Sequence, residues 1–274
     1  MRFIRYTLEP LTDLHLGAGR AGMVMRNLGF VPGHLVGHAL ASVLGAARGA
    51  RPEDFASALK LVRERLRLGP LFLIDDKTQV LTPRRHRREI EERHLHGRTQ
   101  VALDSFSRSA ADGALFEVES LSARVLSGTQ RGQLARLAGG LWCEDEKLDG
   151  IPLRDWFNRL WLGGERKSGH GRVRVVEKGG WAPNAAAYPG IVGTIEARGI
   201  RLDKGVILPG PACDGVEDAP LRPWVGRLHD PVQGFGRRLS PPVLVRMDGR
   251  VTSPARFQIE PGEAGWCCWR TLPK

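Results

Sequence analysis

The segment Leu162–Val175, LGGERKSGHGRVRV, narrows the choice of fold more than any other stretch of the chain. Glycine inside a helix or strand costs roughly 0.5–1 kcal/mol relative to alanine, and four of these fourteen residues are glycine. The segment therefore reads as a tight connection. It is entered from an amphipathic helix pattern at Leu153–Trp161 and left through a strand at Arg172–Val176. It also carries Arg166, Lys167, Arg172 and Arg174 against a single acid, Glu165. Glycines let backbone N–H groups approach phosphates, and the flanking cations supply charge and forked donors. The spacing is neither GxxxxGK[ST] nor a GxGxxG dinucleotide fingerprint. Two readings remain, a plain helix-to-strand turn and an RNA-contacting loop. The basic residues favour the second, because the chain carries a formal net charge of +11. Gly164, Arg166, Lys167, Ser168, Gly169, His170, Gly171 and Arg172 are the candidate contacts here.

The rest of the chain supplies a scaffold. Arg2–Leu8 alternates as a strand that Pro10 ends or borders, and LHLGAGRAGM follows as a glycine-rich loop. Gly33–Ala47 and Pro52–Leu68 have apolar residues near a 3.6 period and read as helices. Leu71–Ile74 reads as a strand, Arg98–Leu103 and Ala114–Ser127 as extended segments around a polar turn, and Gly132–Gly139 as a short helix. Beyond Lys178–Pro183 the chain is richer in Gly and Pro, with strand-like pieces at Gly190–Ala197, Gly205–Leu208, Val243–Met247 and Arg256–Ile259. This order predicts an α+β fold with an antiparallel sheet of the ferredoxin-like or RNA-recognition type over residues 1–178, and a smaller strand-rich module over 179–274.

Three blocks, in order, resemble the RAMP superfamily of CRISPR-associated proteins. The first is Pro10-Leu11-x-x-Leu14-His15-Leu16-Gly17-x-Gly19, with Phe30-Val31-Pro32-Gly33 and a small-residue helix after it. The second is Arg98–Glu119, RTQVALDSFSRSAADGALFEVE, and the third is the Leu162–Val175 loop. Together they span about the first two-thirds of the chain. The resemblance implies ferredoxin-like modules that hold a CRISPR guide RNA within a ribonucleoprotein complex for antiviral defence. It implies three jobs: a repeated backbone subunit, a subunit capping the 5′ handle of the guide, or a processing ribonuclease. The partners implied are the guide RNA and other effector subunits, with target RNA or DNA as a further candidate.

The residues help to choose among these jobs. Backbone subunits that cut target RNA usually carry an acid between the two parts of the first block. Here the interval Ala18–Phe30 contains none, and Asp13 precedes it. About a hundred residues follow the glycine-rich loop, which suits a larger capping subunit similar to the Csm- or Cmr-type large RAMP proteins. The leading expectation is thus a non-catalytic RNA-binding subunit. The alternatives are a metal-independent processing endoribonuclease, with His15, His34, His38 and His170 of the loop as catalytic candidates, and a backbone subunit that cleaves target RNA, for which Asp13 is the nearest acid. His15, Gly17, Gly19, Arg20, Arg26, His34 and His38 join the candidate RNA contacts.

Arg84, Arg85, Arg87 and Arg88, in RRHRREIEER, fit either a solvated helix face or a mobile insertion reaching RNA. In GFGRR, Phe235 and Arg237 fit either base stacking and RNA contact or a core turn. His34 and His38 stand i,i+4, but no third ligand is evident and the four cysteines lack zinc spacing, so no metal or other cofactor is expected. No apolar run approaches the roughly 20 residues that span a bilayer, and the N-terminus lacks a signal-peptide pattern. The expectation is a soluble cytoplasmic protein with no membrane partner.

Overall fold

A computed structural model describes residues 1–75, 78–103, 109–225, 227–230, 234–239, 241–262 and 266–272. The chain opens with β1 (Arg2–Pro10), turns through the hairpin β2 (Gly17–Ala21) and β3 (Val24–Asn27), adds β4 (Phe30–Val31), and enters α1 (Gly33–Arg48) and α2 (Pro52–Arg65). Then come β5 (Leu66–Leu68), β6 (Leu71–Ile74), β7 (Val80–Leu81), α3 (Arg87–His94) and the long hairpin β8 (Leu95–Leu103) and β9 (Ala110–Leu121). β10 (Leu137–Cys143), a small hairpin of β11 (Lys147–Leu148) and β12 (Ile151–Pro152), α4 (Leu153–Phe157), β13 (Val173–Val175) and β14 (Trp181–Pro183) complete this part.

The first sheet runs β13-β1-β10-β6-β4, and the pairings β1–β13, β1–β10 and β10–β6 are all antiparallel. With α1 and α2 between β1 and β6, and α4 between β10 and β13, this is the ferredoxin-like βαββαβ order, as the sequence predicts. Two insertions decorate it. The β2–β3 hairpin sits between β1 and α1, and β8–β9 sits between β6 and β10. They join in a second sheet of order β2-β3-β9-β8, with β3 parallel to β9. The LHLGAGRAGM segment is therefore an edge hairpin as well as a glycine-rich loop.

Gly132–Gly139 is not a helix. Its end enters β10, the central strand, buried on both faces from Leu137 to Cys143. Such a strand has no polar–apolar alternation to give it away, and its adjacent glycines leave room for Leu71 on one side and Phe3 on the other. The helix expected over Pro52–Leu68 ends at Arg65, because Leu66–Leu68 pairs with β10 as β5.

The C-terminal strands β15 (Thr194–Glu196), β16 (Gly199–Leu202), β17 (Ile207–Ala212), β18 (Val216–Glu217) and β19 (Leu221–Trp224) are followed by a separate hairpin, β20 (Arg227–Asp230) and β21 (Gly234–Leu239). The chain then forms β22 (Val243–Val251), β23 (Ala255–Ile259) and β24 (Trp269–Thr271). The main C-terminal sheet has the order β15-β16-β23-β24-β17-β22-β18. Its aromatic residues pack on the first sheet, where Trp269 meets Trp142 edge-on at 6.1 Å and Tyr188 at 5.5 Å. At Gly37 of α1 an added Cβ would lie 2.7 Å from the Trp266 ring, so the small-residue face of that helix is what admits this module. Cys267 and Cys268 are buried beside it as free thiols.

Candidate nucleic-acid interface

The glycine-rich loop is seated on the Leu11–Leu16 segment by backbone hydrogen bonds. Gly164 N–H donates to the His15 carbonyl (2.8 Å), Gly171 N–H to the Asp13 carbonyl (2.9 Å), and Leu11 N–H to the Arg172 carbonyl (2.8 Å). Leu162 N–H closes the base of the loop on Gly171 O at 2.7 Å. Gly163 makes the close approach possible. Its φ is +82°, and a Cβ there would lie 2.3 Å from the His15 carbonyl oxygen. The apex is a single 3-10 turn, Arg166–Ser168, flanked by Glu165 and Gly169 in the left-handed region. The first and third blocks of the sequence therefore form one structural unit.

The side chains of the loop divide by their partners. Arg166 points back, donating to the carbonyls of Gly163 (3.3 Å) and Trp161 (3.0 Å), and so braces the loop. Ser168 Oγ lies 3.5 Å from Glu165 Oε2. His170 is buried, with Nδ1 unpartnered among the described residues. Arg174 pairs with the buried Glu9 at 3.1 Å, and Arg136 meets the same carboxylate at 3.3 Å. Lys167 and Arg172 are exposed, with no ion pair or side-chain hydrogen bond among the described residues. They are the two cations this loop offers outward.

Beneath the loop, His15 is buried and its Nδ1 lies 2.8 Å from the Glu119 carbonyl of β9. A carbonyl can only accept, so Nδ1 carries a proton and donates it to Glu119 O. Nε2 faces Gly17, and Cδ2 faces Gly164. The Glu119 carboxylate fixes the hairpin alongside, accepting from Asn27 N–H at 2.7 Å and pairing with Arg26 at 3.5 Å. Asp13 Oδ1 accepts from Ala123 N–H (2.8 Å), and Oδ2 lies 3.0 Å from His96 Nε2.

Strand β2 is exposed throughout, carrying Gly17, Gly19 and Arg20, whose Nε donates across the turn to Gly22 O at 2.7 Å. Arg98, Thr99, Gln100 and Val101 of the edge strand β8, with Ser168 of the loop apex, line a cleft of about 370 Å³. The structure thus brings His15 and Gly17 against the loop residues Gly164–Arg172, joins Arg26 to them through Glu119, and leaves Gly19 and Arg20 further along the exposed strand β2.

The other candidates lie elsewhere. His34 and His38 are buried near the start of α1. His34 packs edge-on against Trp224 at 5.7 Å and His38 against Trp266 at 4.9 Å. Burial pushes the His34 imidazole down to about 4, so it is neutral at physiological pH. Arg84 is tied to the C-terminal sheet, its backbone N–H donating to Asp248 Oδ2 at 3.0 Å. Arg87 and Arg88 lie on α3 in i,i+4 pairs with Glu91 (2.8 Å) and Glu92 (2.6 Å), while Arg85 is exposed without such a partner among the described residues. Arg237 and Phe235 fall on β21, and their side chains lie outside the described residues, as do residues 104–108 of the central block. Among the described residues no group of three or more His, Cys, Asp or Glu side chains is placed to hold a metal, and no helix is long and apolar enough to cross a membrane.

Three residues of this surface, Glu119, His96 and Trp161, are not among the candidate contacts read from the sequence. Glu119 closes the second block, and His96 is an ordinary polar position on a strand, but only the tertiary pairing reveals what either one holds. Trp161 had a usable signal, an aromatic directly before a basic glycine run.

No protein-family model matches the chain, and no curated protein matches it. Among solved structures it is similar to a chain of a type III-B Cmr-beta complex bound to cognate target RNA and AMPPnP. The identity is 11%, the TM-score 0.49, and the match covers 90% of this chain and 85% of the other. A chain of the Cmr-beta complex bound to cognate target RNA matches at 12% identity and a TM-score of 0.48, with the same coverage.

Proposed function

We propose that this chain is a non-catalytic RNA-binding subunit of a CRISPR ribonucleoprotein effector, holding the 5′ handle of the guide RNA or the backbone beside it. The observation that carries the reading is the seating of the glycine-rich loop on the His15 segment over a ferredoxin-like sheet. This joins the two glycine blocks whose pattern resembles the RAMP superfamily and leaves Lys167 and Arg172 exposed on a loop whose Ser168 lines the β8 cleft. The amides of Gly164, Gly169 and Gly171 are already bonded within the fold, so the phosphate contacts fall to the Lys167 and Arg172 side chains, which carry no sequence readout of their own. The partners on this reading are the guide RNA and other effector subunits, with target RNA or DNA reached through the assembled complex, in the cytoplasm. On this reading residues 1–178 serve as the RNA-holding module and 179–274 as a smaller flanking module, whose first strand, β14, pairs back onto β1.

One observation favours a second reading. The Glu119 carbonyl engages His15 through Nδ1–H, which orients the ring and leaves Nε2 as the nitrogen that a general base would use in metal-independent cleavage next to a 2′-hydroxyl. Incubating the purified chain with labelled repeat RNA, with and without EDTA, separates the two. Retarded, intact RNA with salt-sensitive affinity is expected. Cleavage that persists in EDTA would overturn the non-catalytic reading, and no shift at low salt would overturn both.

A further inference from the structure

Trp161 is 39% exposed, and no other tryptophan among the described residues is as open to solvent. It stands at the base of the glycine-rich loop in an antiparallel bridge with Arg172. The hydrogen bonds flanking this pair, Leu162 N–H to Gly171 O (2.7 Å) and Val173 N–H to Leu160 O (3.3 Å), leave the pair itself unbonded. In such a pair the two side chains share one face at close range. The Arg172 backbone is held by the Leu11–Thr12 segment, its N–H donating to Thr12 Oγ1 at 3.0 Å, while its side chain is exposed with no hydrogen bond or ion pair among the described residues. The Arg166 guanidinium holds the Trp161 carbonyl at 3.0 Å and the Gly163 carbonyl at 3.3 Å, so the backbone under the indole is braced. An exposed indole on a rigid base, beside an unpaired guanidinium, has what a nucleotide needs: a flat apolar surface for the base and a fork for the phosphate.

We infer that Trp161 is a stacking platform for one unpaired nucleobase of the bound RNA, with Arg172 holding a neighbouring phosphate. This rests on the RNA-binding reading of the loop and adds to it a base-facing position. Stacking tolerates any base, so the position sets register along the strand without selecting sequence.

The test uses the full chain, a short labelled single-stranded RNA, and a series of the same RNA with one abasic site at each position in turn. Trp161→Ala should weaken binding by about 5- to 150-fold, the range expected for one base–aromatic stack. Trp161→Phe should retain most of the affinity. One abasic position should reproduce the loss on the unaltered chain and add nothing to the loss in Trp161→Ala. If Trp161→Ala binds the RNA as tightly as the unaltered chain, the stacking inference falls, the RNA-binding reading stands, and the indole is left as a surface for a protein partner. If Trp161→Ala binds weakly but every abasic loss is additive with it, Trp161 supports the loop only, and the inference is again overturned. If the unaltered chain binds no RNA, both readings fail together.

Discussion

Replacing Gly163 with alanine strains the contact that joins the two glycine blocks. Gly163 has a φ of +82°, and its added Cβ would meet the His15 carbonyl oxygen at 2.3 Å. Gly169, in the same loop, has a φ of +85° with nothing within 4 Å of the same atom. A left-handed backbone costs a residue with a Cβ ~1–2 kcal/mol, so Gly169→Ala measures that cost alone. At Gly163 the loop must also lift from His15 and give up the 2.8 Å bond from Gly164 N–H. A lost hydrogen bond of this kind adds about 1 kcal/mol, and more where the carbonyl stays dry. The expected destabilisation is thus ~1–2 kcal/mol for Gly169→Ala and ~2–3 kcal/mol for Gly163→Ala, or more where the His15 carbonyl stays dry. Urea unfolding with an unchanged slope reads both values. RNA affinity should fall in the same order, because lifting the loop moves Lys167 and Arg172 together. Equal destabilisation by the two variants would mean that the loop is not seated on the His15 carbonyl.

Burial pushes His34 and His94 down to about 4 from 6.5. Both values are depressed in the folded state, so the unfolded chain takes up the protons first. Stability is full above about pH 6.5 and is lost as pH falls toward 4, by about 2 kcal/mol per histidine between pH 7 and pH 5. Chemical unfolding at the two pH values checks this, and equal midpoints would refute it. Lys167→Gln and Arg172→Gln should each weaken RNA binding and flatten the slope of log affinity against log salt by about 0.7 for a single strand. Arg87→Gln and Arg88→Gln should change that slope less, since each guanidinium already faces a glutamate on α3. A larger change from the α3 pair would move the RNA path away from the glycine-rich loop.

The sequence carried those parts of the fold in which local pattern and tertiary role agree. Helix α2 buries one face through Ala58, Leu59 and Val62, and β1 keeps Ile4, Tyr6 and Leu8 buried at alternate positions, so their periods survive in the residue order. Strand β10 is buried on both faces and glycine-rich, which removed its period and left Gly132–Gly139 looking helical. Helix α2 ended early because pairing with β10 outweighed the apolar periodicity that runs on through Leu66 and Leu68. At the candidate site, Lys167 and Arg172 were visible as basic residues among glycines, while the division of labour was not. Whether Arg166 faces out or braces the loop depends on two carbonyls that only the folded backbone brings within reach. The i,i+4 spacing of His34 and His38 was plain, but their burial against Trp224 and Trp266 comes from a C-terminal sheet distant in sequence.

Ultraviolet crosslinking of the full chain to a guide-type RNA, followed by mass-spectrometric mapping of the crosslinked peptides, reads the central claim directly. Crosslinks should concentrate in Leu162–Val175 and Asp13–Arg20, with Trp161 among the attachment points, and should fade as salt rises. Crosslinks confined to the C-terminal sheet or to α3, with none in the glycine-rich loop, would contradict the account.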